Sequence, residues 1–464
     1  MDLFRKKGIH ESIENGDRLQ QCLSAFDLTF LGIGAIIGAG IFVLTGIVAA
    51  TQAGPAIVFS YVMAGLACAF SALSYAELAA AIGGCGSAYG YAYAGFGELV
   101  AWIVGWDLLL EYSIAVSAVS VGWSSYFNDL LLALNIHIPT YLLHAPANGG
   151  IGNILALGII FILCLLLIMG AKSSSRINNA MVLVKLLVIA IFIIMAVHEV
   201  KPENWQPFFP FGWSGVMQGA SLIFFAYVGF DAVSTAAEEA IHPQRDLPIG
   251  ILGSLVICTL IYILVSALLT GMVHYSTLNV ASPISHALLT LGYKAAAGLV
   301  GVGAIAGLTT VMLVLFYGLS RVFYAMARDG LLPRFFAVIN KTTHTPVRII
   351  IVCGLLMASV SALVPIDDLA ELVNIGTLFA FMIVCSGVLI LRYTHPELPR
   401  PFKTPFMPYV PILGVLSCMY LIINLPLVTM LRFIIWMLVG IVVYFSFSRL
   451  NSELEYKGKE NPSN

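Results

Sequence analysis

The chain has 464 residues, of which 60% are apolar and 10% charged, with a formal net charge of −2 and a mean hydropathy of +0.96. That balance excludes a soluble globule. Apolar stretches repeatedly reach the ~20 residues that a helix needs to cross a hydrocarbon core.

Residues 1–25 are polar and charged, without a short apolar core or a small-residue cleavage site. They read as a retained cytoplasmic tail and not as a signal peptide. Twelve apolar segments follow, at 26–50, 54–81, 98–126, 151–170, 177–197, 213–238, 249–273, 295–325, 348–364, 369–391, 408–427 and 429–448. The second, third and eighth exceed a perpendicular span, which implies tilt or extension beyond the bilayer. Between the second and third, Gly83-Gly-Cys-Gly-Ser-Ala-Tyr-Gly-Tyr-Ala-Tyr-Ala-Gly95 has too little apolar bulk to cross, and is expected as a helix or loop on the cytoplasmic face. With the N-terminus inside and twelve alternations, all but four of the 22 basic residues gather on the inner side. Lys201, Lys294 and Arg432 fall outside, and Lys185 lies within a span. This positive-inside pattern puts both termini in the cytoplasm.

The eight cysteines form no CxxC pair, and on this topology none lies in an external loop. Neither disulfides nor a zinc or iron–sulfur site is expected. There is no Walker-type phosphate loop through which ATP could drive the chain directly. No cofactor, metal or nucleic-acid partner is implied.

Two apolar segments carry interruptions. The first span reads Leu31-Gly-Ile-Gly-Ala-Ile-Ile-Gly-Ala-Gly-Ile-Phe42, the sixth Phe224-Phe-Ala-Tyr-Val-Gly-Phe-Asp231. Each glycine costs a helix roughly 1 kcal/mol against alanine, and backbone unwound in hydrocarbon finds no water to bond. Broken spans in matching positions of two halves point to a binding site at the bilayer midplane. Close helix packing, which also gathers small residues, is the competing reading. Spans one to five and six to ten are each five long, so the second set enters from the opposite side. That is the arithmetic of an inverted repeat, with spans eleven and twelve left over.

These features, together with a set of motifs, resemble the amino acid–polyamine–organocation transporters, in particular bacterial permeases close to the cationic amino acid transporters. The motifs are Ala25-Phe-Asp-Leu28, Gly38-Ala-Gly-Ile-Phe42, Gly105-Trp-Asp-Leu-Leu-Leu-Glu111 and Phe224-Phe-Ala-Tyr-Val-Gly-Phe-Asp-Ala232. Glu238-Glu239, Asp329-Gly-Leu-Leu-Pro333 and Asn374-Ile-Gly-Thr377 complete the set, and the resemblance covers about 20–450. It implies an all-α membrane protein of twelve transmembrane helices with a leucine-transporter-type 5+5 inverted repeat, and secondary transport of amino acids across the plasma membrane. The division is then a tail at 1–25, repeats at 26–200 and 201–392, two further helices at 393–449 and a cytoplasmic tail at 450–464.

The outer half of span one starts near Gly40, where free amides and a positive dipole end suit a carboxylate. The inner half ends near Ile36 with carbonyls that suit an ammonium, as do those of Phe224, Phe225 and Ala226 in span six. The resemblance assigns the substrate carboxylate to Gly38, Ala39 and Gly40, and the ammonium to Ile36, Phe225, Ala226 and Val228. Many relatives carry a hydroxyl residue at the middle of the glycine motif; Ala39 leaves only backbone donors. Side-chain specificity is expected from Phe225, Tyr227, Phe230, and Leu315 or Phe316, with core packing the alternative for Phe230 and Phe316. This wall is apolar, which favours small or branched apolar amino acids over arginine or lysine.

Lys185 sits among apolar neighbours in span five, where an ammonium costs about 2.5–3.5 kcal/mol on insertion scales. In proton-coupled relatives a lysine here bonds carbonyls around the span-one break, in the place of a sodium ion. Loss of its proton during a cycle is feasible in so dry a setting; a permanent structural pin is the alternative. Asp107 and Glu111 lie one turn apart, so repulsion leaves one of them neutral or paired. Either could share a proton pathway with Lys185, with Glu111 the nearer to mid-membrane, or serve only in a structural hydrogen bond. Asp231 follows the span-six break as a candidate cap of its inner half. Glu238 and Glu239 are candidates for ion pairs that close the inner mouth, the alternative being a solvated helix end.

The function expected is secondary active import of amino acids, with proton symport, and the partners are the amino acid, a proton and the lipid bilayer. A transporter-like amino acid sensor and an exchanger without net proton coupling are the rivals. A channel would need a ring of charges or a repeated filter. An enzyme would need a convergent nucleophile and base, and neither pattern is visible.

Overall fold

A computed structural model of the chain describes residues 5, 21–82, 87–133, 135–280, 282–364, 366–423, 425 and 427–453. Most of the two expected tails lies outside these residues. Apolar chain in hydrocarbon must satisfy its backbone internally, and the described residues are mostly helical in their apolar segments. Their only β-type pairing is an isolated parallel bridge between Leu23 and Ala240.

Eight helical stretches among the described residues are long and apolar enough to cross a membrane. The first, Ala25–Ile82, contains the expected spans 26–50 and 54–81, and three shorter apolar helices fall at Ile154–Ile168, Val347–Leu363 and Tyr409–Ile423. Helix α1 covers Ala25–Ile36. Ser24 caps it: its hydroxyl accepts from the Asp27 N–H, and the Asp27 carboxylate accepts from the Ser24 N–H at 3.0 Å. Helices α2 (Ile57–Ile82), α3 (Ala88–Gly95) and α4 (Glu98–Ala133) follow. The segment expected as a helix or loop between spans two and three is thus helical over α3. Then come α5 (Ile154–Ile168), α6 (Ala171–Glu199), α7 (Gly212–Ile223) and α8 (Pro243–Met272). Helices α9 (Pro283–Thr290), α10 (Lys294–Arg328), α11 (Val347–Leu363), α12 (Ile366–Thr394), α13 (Tyr409–Ile423) and α14 (Leu427–Val443) complete the set. The expected long spans are long: α2, α4 and α10 run for 26, 36 and 35 residues.

Packing sorts these helices into two groups. In one, α8 lies against both α1 and α2, and α7 against α2. In the other, α4 lies against α10 and α12, and α5 against α11. Helix α6 touches α10, α1 and α8, and so spans both groups. Near the chain ends, Arg5 and Ser452 meet at the buried Glu98, with Ser452 Oγ donating to its carboxylate at 2.6 Å and an Arg5 nitrogen 3.8 Å from it.

Candidate functional site

Both expected interruptions are present. Helix α1 stops at Ile36, Ile37 turns extended (φ −77°, ψ 98°), and a wide-turn helix resumes at Gly40–Leu44 with no side chain capping Ala39. An uncapped start leaves amides for a ligand. Helix α7 stops at Ile223, a tight turn covers Phe224–Tyr227, and Gly229 takes φ +116° before the chain resumes over Phe230–Glu239. Gly229 is needed in that left-handed conformation, and a Cβ there would lie 2.7 Å from the Ala35 Cβ.

The two breaks press against each other. A Cβ on Gly40 would lie 2.2 Å from the Ala226 Cβ and 2.6 Å from its Cα. Beside this contact lies a cavity of about 20 Å³ lined by Ile36, Gly38, Ala39, Gly40, Phe225, Val228 and Leu315, with Ala35, Ala115, Val119 and Val311. That is room for about one water molecule, so an amino acid enters only as the walls part. The structure therefore brings together seven of the nine expected binding residues. Ala226 is at the break, but its side chain packs on Gly40. Phe230 faces elsewhere, stacking in a core of aromatics with its ring 4.8 Å from Phe381 and 5.9 Å from Tyr75. Two further wall candidates also point away. The Phe316 ring tip packs towards Gly354 of α11, and the Tyr227 hydroxyl donates to the Tyr61 carbonyl at 3.0 Å.

Tyr262, on α8, is a residue that sequence reasoning missed. Its buried hydroxyl lies 2.6 Å from the Ile36 carbonyl and 2.9 Å from the Ala226 carbonyl, one from each break. A phenol has a single proton to donate, so it satisfies one of these carbonyls at a time and leaves the other for a ligand's N–H. The signal was present: a tyrosine in the apolar run Leu260-Ile-Tyr-Ile-Leu264 needs a partner for its polar tip.

The Lys185 side chain is fully buried. Its ammonium donates to the carbonyls of Ile33 (2.9 Å), Gly34 (3.1 Å) and Ile37 (2.9 Å), and lies 2.9 Å from the Thr310 Oγ. Thr310 in turn donates toward Gly307 or Gly34, at 2.7 and 3.0 Å. The lysine thus pins the end of α1 to α10. No carboxylate among the described residues makes an ion pair with it; Glu111 lies apart, accepting from the Thr377 hydroxyl at 2.6 Å. Asp107 is buried with both carboxyl oxygens lacking a hydrogen-bond partner among the described residues.

Asp231, the candidate cap, sits at the start of the segment that resumes after the break. Gly229 occupies the cap position with no side-chain bond, and the Asp231 carboxylate accepts from the Tyr112 hydroxyl of α4. Glu239 and Glu238 do make ion pairs, with Arg321 at 2.7 Å and Arg328 at 2.9 Å. The first pair is almost wholly buried, each side chain 1% exposed. The Glu239 carbonyl accepts from the N–H groups of Cys22 and Leu23, both at 2.9 Å, which straps the lead into α1 onto the end of the 230–239 segment.

The described residues thus form a helical, multi-pass membrane protein whose two interrupted helices meet at a small cavity. The chain belongs to the amino acid permease family, which matches residues 23–450. It is 49% identical over 456 residues to a methylthioribose transporter of Bacillus subtilis (strain 168), covering 97% of this chain and 99% of that protein. It is also 49% identical over 460 residues to the branched-chain amino acid permease BcaP of the same organism, with the same coverage. With cationic amino acid transporter 4 of Homo sapiens it shares 38% identity over 395 residues, 82% of this chain and 62% of that protein.

Proposed function

We propose that this permease is a secondary active transporter that imports small or branched apolar amino acids across the plasma membrane by proton symport. In this reading the twelve apolar segments are twelve spans, ten of them an inverted repeat, and both termini are cytoplasmic. The substrate carboxylate faces the amides of Gly38, Ala39 and Gly40, and its ammonium faces the Ile36 and Ala226 carbonyls. The meeting of the two breaks at a single cavity is the observation that carries the reading. Lys185 is the proton-coupling group nearest the break, with Glu111 as the alternative carrier. Glu238, Glu239 and Asp231 hold the inner mouth shut through Arg328, Arg321 and Tyr112.

The similarity to a methylthioribose transporter favours a second substrate class. A sugar presents hydroxyls, each of which loses free energy when buried without a partner. The side-chain wall of Ala115, Val119, Phe225, Val228, Val311 and Leu315 provides hydrocarbon only, which supports an aliphatic side chain instead. Uptake into proteoliposomes, competed by each of the twenty amino acids and by methylthioribose, tests the choice. Competition by leucine, isoleucine or valine is expected; competition by methylthioribose alone would overturn the substrate assignment.

A further inference from the structure

A second, larger cavity of about 250 Å³ lies between α4, α9 and the start of α10. Its walls include Tyr126 and Asp129 of α4, Ser282 and Ser285 at α9, and Lys294 and Ala297 of α10. The floor is open backbone, since a Cβ on Gly298 or Gly301 would meet nothing within 4 Å. Asp129 and Lys294 are both exposed at this rim, and neither makes an ion pair among the described residues. One cavity thus presents a carboxylate and an ammonium, each without an ion-pair partner among the described residues.

Its position relates it to the central site. Tyr126 follows Val119 by seven residues, two turns on the same face of α4. Ala297 precedes Leu315 by eighteen, five turns on the same face of α10. Val119 and Leu315 line the small central cavity, and Tyr126 and Ala297 the large one. Between them stand two hydrogen bonds: the Tyr126 hydroxyl donates to the Phe42 carbonyl at 3.2 Å, and the Trp123 indole to Thr309 at 2.9 Å.

We infer that this cavity is an outer staging site for a zwitterionic α-amino acid, with Asp129 receiving the ammonium and Lys294 the carboxylate before Tyr126 swings away from Phe42. The inference rests on the permease reading above and adds a binding step to it. A single-charge ligand would leave one rim group unpaired, so the site selects for a group carrying both charges close together. A lipid headgroup of the ethanolamine type shares that chemistry. The free amino acid is favoured because the cavity lies in line with the central site.

The test uses the full-length protein in proteoliposomes made without phosphatidylethanolamine. Asp129→Asn and Lys294→Gln should each raise the apparent KM for leucine about three- to fivefold, as exposed charge pairs do, with maximal rate unchanged. The swapped double variant Asp129→Lys with Lys294→Asp should recover the KM. By saturation-transfer NMR on purified Gly40→Val protein, whose central site is blocked, leucine should still bind, while its amide and its keto acid should not. Adding Lys294→Gln should remove that residual binding. A KM within twofold of wild type in both single variants, or no leucine signal with Gly40→Val, overturns the staging site. A KM effect that arises only when phosphatidylethanolamine is present assigns the cavity to lipid and also overturns it. Absence of leucine uptake by the wild-type protein would instead overturn the permease reading itself.

Discussion

Gly40 stands where two unwound backbones approach most closely, and nothing larger than hydrogen fits there. Overfilling a packed site costs about 1–3 kcal/mol, and here the obstructed atoms include the backbone of Ala226. Gly40→Val should therefore lower amino acid uptake by at least about tenfold while the purified protein still elutes as a single species. Near-normal uptake would remove the carboxylate assignment. Tyr262→Phe probes the opposite pole. Losing one hydrogen bond of about 1 kcal/mol should weaken substrate binding roughly fivefold, measured as a rise in KM. At Lys185 two variants separate two roles. Lys185→Ala should abolish accumulation, because three carbonyls at the end of α1 lose their donor. Lys185→Arg keeps a charge that cannot be released, and should fail as well if deprotonation is part of the cycle. Normal accumulation by the arginine variant alone would make the lysine a structural pin.

At the scale of elements, the strap between Leu23 and Ala240 ties the lead into α1 to the end of the segment Phe230–Glu239, so that on the proposed function the two half-helices move together. The attachment of Phe230–Glu239 to α10 is ionic. Removing one partner of a buried pair costs about 3–5 kcal/mol, whereas replacing both by apolar groups is often neutral. Glu239→Gln should thus open the mouth, making Ser234→Cys reactive towards a membrane-impermeant thiol reagent, because Ser234 is buried against Ser87, which immediately precedes the loop helix α3. Combining Glu239→Leu with Arg321→Met should restore protection. Equal labelling in every variant would show that the pair is not a gate. Much of this was readable beforehand: the glycines of span one and the tyrosine–valine–glycine of span six marked the breaks. The partner of Glu239 was not, since Arg321 lies 82 residues away and only helix packing selects it among many basic residues.

For the whole molecule, proton coupling predicts a set of behaviours that no single contact determines. Import with protons draws on the inward proton gradient, so uptake should rise as external pH falls, persist when choline replaces sodium, and collapse with a protonophore. Uptake that requires sodium and ignores external pH would overturn proton symport. The Lys185 ammonium already occupies the carbonyls that a sodium ion would need, which is the physical ground for this expectation.

The sequence by itself determined that the chain is helical and membrane-bound, because 60% apolar residues in long runs leave no other way to satisfy the backbone. It also located the two breaks, since glycine is costly inside a helix wherever nothing demands it, and singled out Lys185, since a buried ammonium must find carbonyls. It could not say which aromatic faces the cavity. Phe225 and Phe230 are equally apolar in sequence, yet the left-handed turn at Gly229 sends Phe230 into the packing around Phe381. Nor could it pair Tyr262 with two carbonyls, or bring Asp129 and Lys294 to one cavity. Those relations join residues far apart in the chain, and only the crossing of the helices decides them.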